Sequence, residues 1–240
     1  MGSSGDVQTV VQWVESGDQA LDRELSARDS TWLREPSSLP GWTRGHIVTH
    51  LARNADAVTN LLTWAQTGVE TPMYATPGQR EEDIERGAGR DLSDQLTDLR
   101  DASARFLRSA RSLREDEWSA MVVSGLGRDI PAREAPWLRA REVWIHRVDL
   151  FGAPALDDMP SAFVERLIAE CARFMSGKTG HGLRILADGT APVTVPGDAD
   201  QAPIEVRGRA GDIAGWLTGR ADGSSLDFGG TGALTLPRWI

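Results

Sequence analysis

A carboxylate and an imidazole in the segment 141–150 stand at a spacing that suits a metal ion. Glu142 and His146 are four residues apart, so on a helix they lie on one face, one turn above the other. Both side chains can reach a divalent ion at about 2 Å, which leaves the ion open to further ligands. The apolar neighbours Val143 and Ile145 favour this interpretation, because ionisable side chains in such surroundings are usually paired or bound.

The alternative for this pair is a solvated contact, since Glu and His at this spacing are common on exposed helix faces. A metal site needs a further protein ligand, and the chain has four histidines. His46 and His50 again stand four residues apart. His50 lies at the edge of the apolar stripe of its predicted helix and is the better donor, whereas His46 favours packing or a local hydrogen bond. Asp149 either orients a ligand or solvates the end of its helix.

Helical spacing of apolar residues predicts the elements that position these side chains. Four segments are expected to form helices, at about 7–25, 44–67, 92–113 and 132–150. Thr43 caps the second of them and Gly68 ends it. Two prolines interrupt the segment 71–78, and a short extended excursion is expected at 121–123. Four helices whose ligands face inward describe a four-helix bundle.

After Pro154 the sequence pattern changes. Helices are expected over about 161–174 and 210–217. Short apolar runs separated by Gly and Pro predict strands at 183–187, 193–195, 204–206 and 226–228. The sequence therefore predicts a helical metal-binding domain over residues 1–153 and a smaller α+β domain over residues 154–240.

Composition limits the classes of partner. A net charge of −9 argues against nucleic acid and anionic membranes, because binding to phosphate needs a basic surface. The sequence shows neither a signal peptide nor a long apolar span, so we expect a cytoplasmic protein. The single cysteine, Cys171, excludes an internal disulfide and a cysteine-based zinc cluster. It lies on the apolar side of its predicted helix, and we expect a buried, inert thiol.

Ordered motifs along the chain carry a resemblance to a known family. They are Gly41-Trp42-Thr43-Arg44 with His46 and His50, Glu70-Thr71-Pro72-Met73-Tyr74, Arg141-Glu142-Val143-Trp144-Ile145-His146 with Asp149, and the closing Pro237-Arg238-Trp239. Through these motifs nearly the whole chain resembles the mycothiol-dependent maleylpyruvate isomerases. The resemblance implies a DinB-like four-helix bundle followed by a smaller C-terminal α/β domain.

The same resemblance implies a site and a reaction. Zinc would be held by His50, Glu142 and His146, and the family's two arginines fall by position on Arg80 and Arg220. The implied partners are a small-molecule substrate and the thiol mycothiol, with no protein partner evident. The thiolate would add to the double bond of maleylpyruvate, allow rotation and leave as fumarylpyruvate forms, a step of aromatic degradation. The arginines would bind carboxylates or the enolate, and Arg220 is the better match because Arg80 lies in a less distinctive stretch.

Two other interpretations stay open at this stage. The activated thiolate could attack an electrophile and remain attached, which would make the protein a mycothiol S-transferase. A regulatory or scaffold protein with a closed zinc site, in which His46 supplies a fourth ligand, is the non-enzymatic alternative. The metal is also open, because a site of two histidines and one glutamate accepts other first-row ions.

Overall fold

A computed structural model of the chain describes residues 4–197, 202–232 and 234–239. The chain divides into two compact units, Met1–Leu150 and Phe151–Ile240. In the described residues the first carries six α-helices, the last of which ends one residue into the second unit, and two short strands: α1 (Ser4–Ser26), α2 (Ser30–Arg34), α3 (Arg44–Thr67), α4 (Gln79–Ala88), α5 (Leu92–Ser112), β1 (Met121–Val123), β2 (Asp129–Pro131) and α6 (Ala135–Phe151). The division into domains at residue 153 stays a prediction.

A buried arginine joins the four long helices α1, α3, α5 and α6. Arg139 on α6 is fully buried and donates to the Leu51 carbonyl at 2.7 Å and to Asn54 Oδ1 at 3.2 Å, both on α3. It also donates to Asp18 on α1 at 3.1 Å and to Ser103 on α5 at 3.3 Å. A buried guanidinium needs such partners, because an unpaired charge in the interior is costly. The polar centre therefore fixes all four helices to one another.

The helix α3 begins and ends where the sequence predicts. Thr43 is its N-cap residue, and the Thr43 backbone N–H donates to His46 Nδ1 at 3.2 Å. Gly68 is the C-cap residue, with φ of +71°, and its N–H donates to the Trp64 carbonyl at 2.8 Å. Glycine suits this left-handed position because it has no Cβ to clash. These ends set which residues of α3 face the bundle interior.

The spacing of apolar residues does not predict the helix α4. This helix packs closely against α3. Ile84 is its only large buried apolar residue, so the segment lacks the stripe that would identify a helix. Two glycines allow the approach. A Cβ on Gly87 would stand 2.4 Å from Thr49 Cγ2, and one on Gly45 would stand 2.4 Å from the Ala88 carbonyl. This close packing holds the last turn of α4 against α3, and in the first turn Arg80 Nη2 lies 3.4 Å from His50 Nδ1.

The second unit combines two helices with a small sheet. It contains α7 (Ser161–Met175), β3 (Leu183–Ala187), β4 (Val193–Val195), β5 (Ile204–Gly208) and α8 (Ala210–Leu217). The strand order is β4-β3-β5, with β4 antiparallel to β3 and β5 parallel to it. The predicted class, a helical bundle followed by a smaller α/β part, is confirmed.

One predicted strand of this unit is wrong. Residues 226–228 make only an isolated bridge, in which Asp227 pairs with Arg207 of β5. Gly223, Gly229 and Gly230 all have positive φ, so the chain turns on both sides of the bridge and cannot extend the pairing. Within the described residues, none of the helices combines the length and apolar character that crossing a membrane requires.

Candidate metal centre

The helices α3 and α6 bring together three side chains that can ligate a metal. His50 Nε2 lies 2.8 Å from Glu142 Oε2, and His146 Nε2 lies 3.2 Å from the same oxygen. One ligand atom from each of the three residues lies within 4.8 Å of the others. The two imidazole rings meet edge to face, with centroids 4.8 Å apart. In the described part of the chain this is the group of His, Cys, Asp and Glu side chains that could hold an ion.

The three donors fit a zinc ion in number, type and spacing. Bonds of 2.0–2.1 Å in a tetrahedron put neighbouring ligand atoms about 3.3 Å apart, and the contacts of 2.8 Å and 3.2 Å to Glu142 Oε2 lie close to that value. Two imidazoles and one carboxylate are the ligand types of catalytic zinc sites, which keep a position for water or substrate. His46 is not part of the group, so the three-residue set leaves that position free.

Burial and mutual contacts set the charges of the three residues. Burial lowers the pKa of His50 to about 4, so its imidazole is neutral at pH 7. For Glu142 burial acts to raise the pKa, yet hydrogen bonds with His146 and His50 hold it well below its usual value. Burial acts to lower the pKa of His146, but the neighbouring carboxylates of Asp149 and Glu142 raise it. The centre thus holds an ionised carboxylate and one neutral imidazole, which are ligand forms, and a second imidazole that retains a proton more tightly.

A carboxylate behind His146 fixes the orientation of its ring. Asp149 Oδ2 lies 2.9 Å from His146 Nδ1, and a carboxylate accepts there, so Nδ1 carries the hydrogen and Nε2 points to the centre. The Ser38 hydroxyl donates to Asp149 Oδ1 at 3.0 Å and contacts the Asp149 carbonyl at 3.2 Å. Asp149 thus has the geometry of an orienting partner. Ser38, in the loop before α3, escapes sequence reasoning because it lies 111 residues from Asp149.

Of the two predicted arginines, the structure brings Arg80 to this centre. Arg80 Nη2 lies 3.4 Å from His50 Nδ1, and its guanidinium lies over the Trp42 ring, 5.7 Å from the centroid. The Trp42 ring also packs against His50, with centroids 5.6 Å apart. Burial raises the pKa of Tyr74, in the proline-containing segment, and the positive charge of Arg80 acts against this rise. A cation therefore stands beside the imidazole of His50.

The remaining predicted residues have other surroundings. His46 Nδ1 contacts the Thr43 hydroxyl at 2.7 Å, and its ring stacks on Trp42, which agrees with the local role expected for it. Arg220 belongs to the second unit, where its Nη1 donates to the Thr218 carbonyl at 2.7 Å. Cys171 is fully buried in α7, as predicted.

Comparison with known proteins gives this arrangement a family. The model of the mycothiol maleylpyruvate isomerase N-terminal domain matches residues 14–151. A crystal structure of a mycothiol-dependent maleylpyruvate isomerase is 33% identical in sequence, with a TM-score of 0.88 and full coverage of both chains. A second, of a histidine-to-alanine mutant of such an enzyme, is 32% identical with the same TM-score and coverage. No curated protein matches the chain. The chain belongs to the mycothiol maleylpyruvate isomerase family.

Proposed function

We propose that the chain is a zinc-dependent isomerase that converts maleylpyruvate, a cis-enoyl dicarboxylate, to fumarylpyruvate with mycothiol as its thiol cofactor. The observation that carries the proposal is the convergence of His50, Glu142 and His146 in a chain that aligns over its full length with a mycothiol-dependent maleylpyruvate isomerase. That full-length similarity favours the isomerase over a mycothiol S-transferase.

The need for an external thiol agrees with the position of the chain's own cysteine. Cys171 is fully buried, and a buried thiol is a poor nucleophile. When bound, mycothiol would supply the thiolate that adds reversibly to the double bond, and zinc would supply the positive charge that stabilises this thiolate. A cytoplasmic location belongs to the same proposal, because a cofactor of this kind must stay reduced.

The side chains of the protein hold and orient the reacting groups in this proposal. His50, Glu142 and His146 would hold the metal, and Asp149 would keep His146 Nε2 turned toward it through the contact of 2.9 Å to Nδ1. Arg80 and Arg220 bind substrate carboxylates, for which a guanidinium offers two parallel hydrogen bonds. Arg80 is already beside His50, so an anion bound to it would lie next to the metal.

The proposal is tested by the absorbance change of maleylpyruvate with zinc-loaded protein. Three parallel reactions contain mycothiol, glutathione or no thiol. We expect turnover with mycothiol and none without a thiol, and fumarylpyruvate as the product identified by chromatography. Zinc-loaded, folded protein that leaves maleylpyruvate unchanged with mycothiol would overturn the proposal. A stable adduct between the thiol and the substrate, detected by mass, would instead indicate a transferase.

A further inference from the structure

The ring of Trp42 contacts both the candidate ligand His50 and the nearby Arg80. The centroids of the Trp42 and His50 rings are 5.6 Å apart, and the guanidinium carbon of Arg80 lies over the indole at 5.7 Å from its centroid. A cation within about 6 Å of the centroid of an aromatic face is attracted to it, and tryptophan attracts cations most strongly. Trp42 therefore connects the arginine of α4 to a candidate metal ligand of α3.

The position of Trp42 is set by the loop that precedes α3. Its carbonyl accepts from the backbone N–H and from the hydroxyl of Ser37, both at 2.9 Å. The Trp42 N–H donates to the Leu39 carbonyl at 3.1 Å. Its ring also stacks on the His46 ring, with centroids 6.1 Å apart. The loop and α3 therefore place the indole independently of Arg80.

The guanidinium of Arg80 is attracted in two directions. Its Nη1 donates at 3.1 Å to the carboxylate of Glu81, a side chain that is 66% exposed. Its Nη2 lies 3.4 Å from His50 Nδ1, which is long for a hydrogen bond. Because an arginine side chain has many rotamers to choose from, this weak contact needs support. The face of Trp42 supplies a further inward attraction that offsets the pull of Glu81 toward solvent.

We propose that Trp42 is a positioning residue that holds the Arg80 guanidinium beside the metal centre, where it can bind a substrate carboxylate. This inference rests on the proposed function, in which Arg80 binds such a carboxylate. A guanidinium has five N–H donors, and the contacts with His50 and Glu81 involve two of them. The attraction to the indole acts on the charge and uses none of the donors. Arg80 therefore keeps donors for the substrate while its position is restricted.

The first test compares Trp42→Phe with Trp42→Leu. Both side chains are smaller than tryptophan, but only phenylalanine keeps an aromatic face. Loss of a cation–π contact changes an equilibrium by about 2- to 30-fold, so we expect Trp42→Leu to lower kcat/KM by a factor in this range, mainly through KM, with Trp42→Phe between it and the wild type. Zinc content should be unchanged in both. Equal kcat/KM values in the two variants, or zinc loss from both, would overturn the proposal.

Two further variants separate positioning from general support of the fold. In an Arg80→Ala background, adding Trp42→Leu should lower kcat/KM no further, because the residue through which Trp42 acts is gone. The matched control is Trp32→Leu on α2, whose ring also carries arginines, Arg28 at 5.3 Å and Arg44 at 4.6 Å. We expect wild-type kcat/KM from this control. An equal effect of Trp42→Leu in both backgrounds, or an equal loss in Trp32→Leu, would contradict the inference.

Nuclear magnetic resonance tests the contact without catalytic activity. Protons over an aromatic face resonate upfield, and the Arg80 side-chain signals are assigned by their absence from Arg80→Lys. In zinc-loaded protein we expect upfield Arg80 signals that return to ordinary positions in Trp42→Leu. Arg80 signals that are the same in the wild type and Trp42→Leu would refute the contact. Upfield signals in a wild-type protein that leaves maleylpyruvate unchanged would instead contradict the proposed function alone.

Discussion

His50 is the residue that links α3 to the pair of ligands on α6, and its replacement tests the metal site directly. In the His50→Ala variant we expect zinc and activity to be lost together, because two protein ligands do not make a catalytic zinc site. Zinc content by atomic spectroscopy and turnover of maleylpyruvate measure the two effects. The matched control is His181→Ala, which removes an exposed histidine of the second unit and should change neither. An active His50→Ala protein free of metal would refute the ligand assignment.

The pKa values of the two histidines predict how zinc affinity depends on pH. The pKa of His146 is raised from 6.5, so below pH 6.5 this ligand carries a proton that the metal must displace. The pKa of His50 is about 4, so this imidazole stays neutral down to that pH. Between these limits binding releases one proton, and we expect the affinity to fall about tenfold for each pH unit.

The measurement is competition with a chelator of known affinity at several values between pH 5 and 6.5. Below about pH 4 a second proton, from His50, should steepen the slope. A zinc affinity that stays constant between pH 5 and 6.5 would show that His146 does not bind the metal through Nε2.

At the level of elements, Asp149 connects α6 with the loop before α3. It contacts His146 Nδ1 and accepts from the Ser38 hydroxyl. In Asp149→Asn the neutral amide keeps the shape but lowers the basicity of His146, so we expect zinc to bind about 10- to 100-fold more weakly. The control is Asp101→Asn, at an exposed position of α5. Equal zinc dissociation constants in the two variants would mean that Asp149 has no role in binding.

The same elements show which features a sequence can reveal. Helical spacing and apolar neighbours identify Glu142 and His146, because both residues lie on one helix and their relation is local. The contact of Ser38 with Asp149 spans 111 residues, and nothing in either segment encodes that pairing. The helix α4 also goes unpredicted, since its position depends on the close approach of Gly87 to Thr49 and not on an apolar stripe. Residue spacing within one helix can therefore be predicted from the sequence, whereas contacts between residues far apart in the chain cannot.

The strand expected at 226–228 shows the opposite error. The apolar residues Leu226 and Phe228 are buried, as a strand would require. Their burial comes instead from packing within a turn-rich segment, where Phe228 meets the Trp216 ring of α8 at a centroid distance of 5.2 Å. The apolar residues at alternate positions therefore predicted correctly that Leu226 and Phe228 are buried. They predicted wrongly that residues 226–228 pair as a strand, because the glycines that flank this run turn the backbone.

At the scale of the whole molecule, the proposed ligands and the second predicted arginine belong to different units. His50, Glu142 and His146 all lie within Met1–Leu150, whereas Arg220 lies within Phe151–Ile240. Loss of Arg220 should therefore affect the reaction without affecting the metal. In Arg220→Ala we expect normal zinc content and a kcat/KM lower by about 10- to 150-fold, which corresponds to the 1.5–3 kcal/mol of a hydrogen bond to a charged group.

The matched control for Arg220→Ala is the Arg173→Ala variant. Arg173 is an exposed arginine of α7 in the same unit, and its loss changes the net charge by the same amount. We expect wild-type turnover from Arg173→Ala, so a defect confined to Arg220→Ala would reflect a specific contact and not a general loss of positive charge. Zinc loss or a lower melting temperature in Arg220→Ala would identify a structural arginine instead. Its hydrogen bond to the Thr218 carbonyl at 2.7 Å would then account for the defect, through the turn that follows α8.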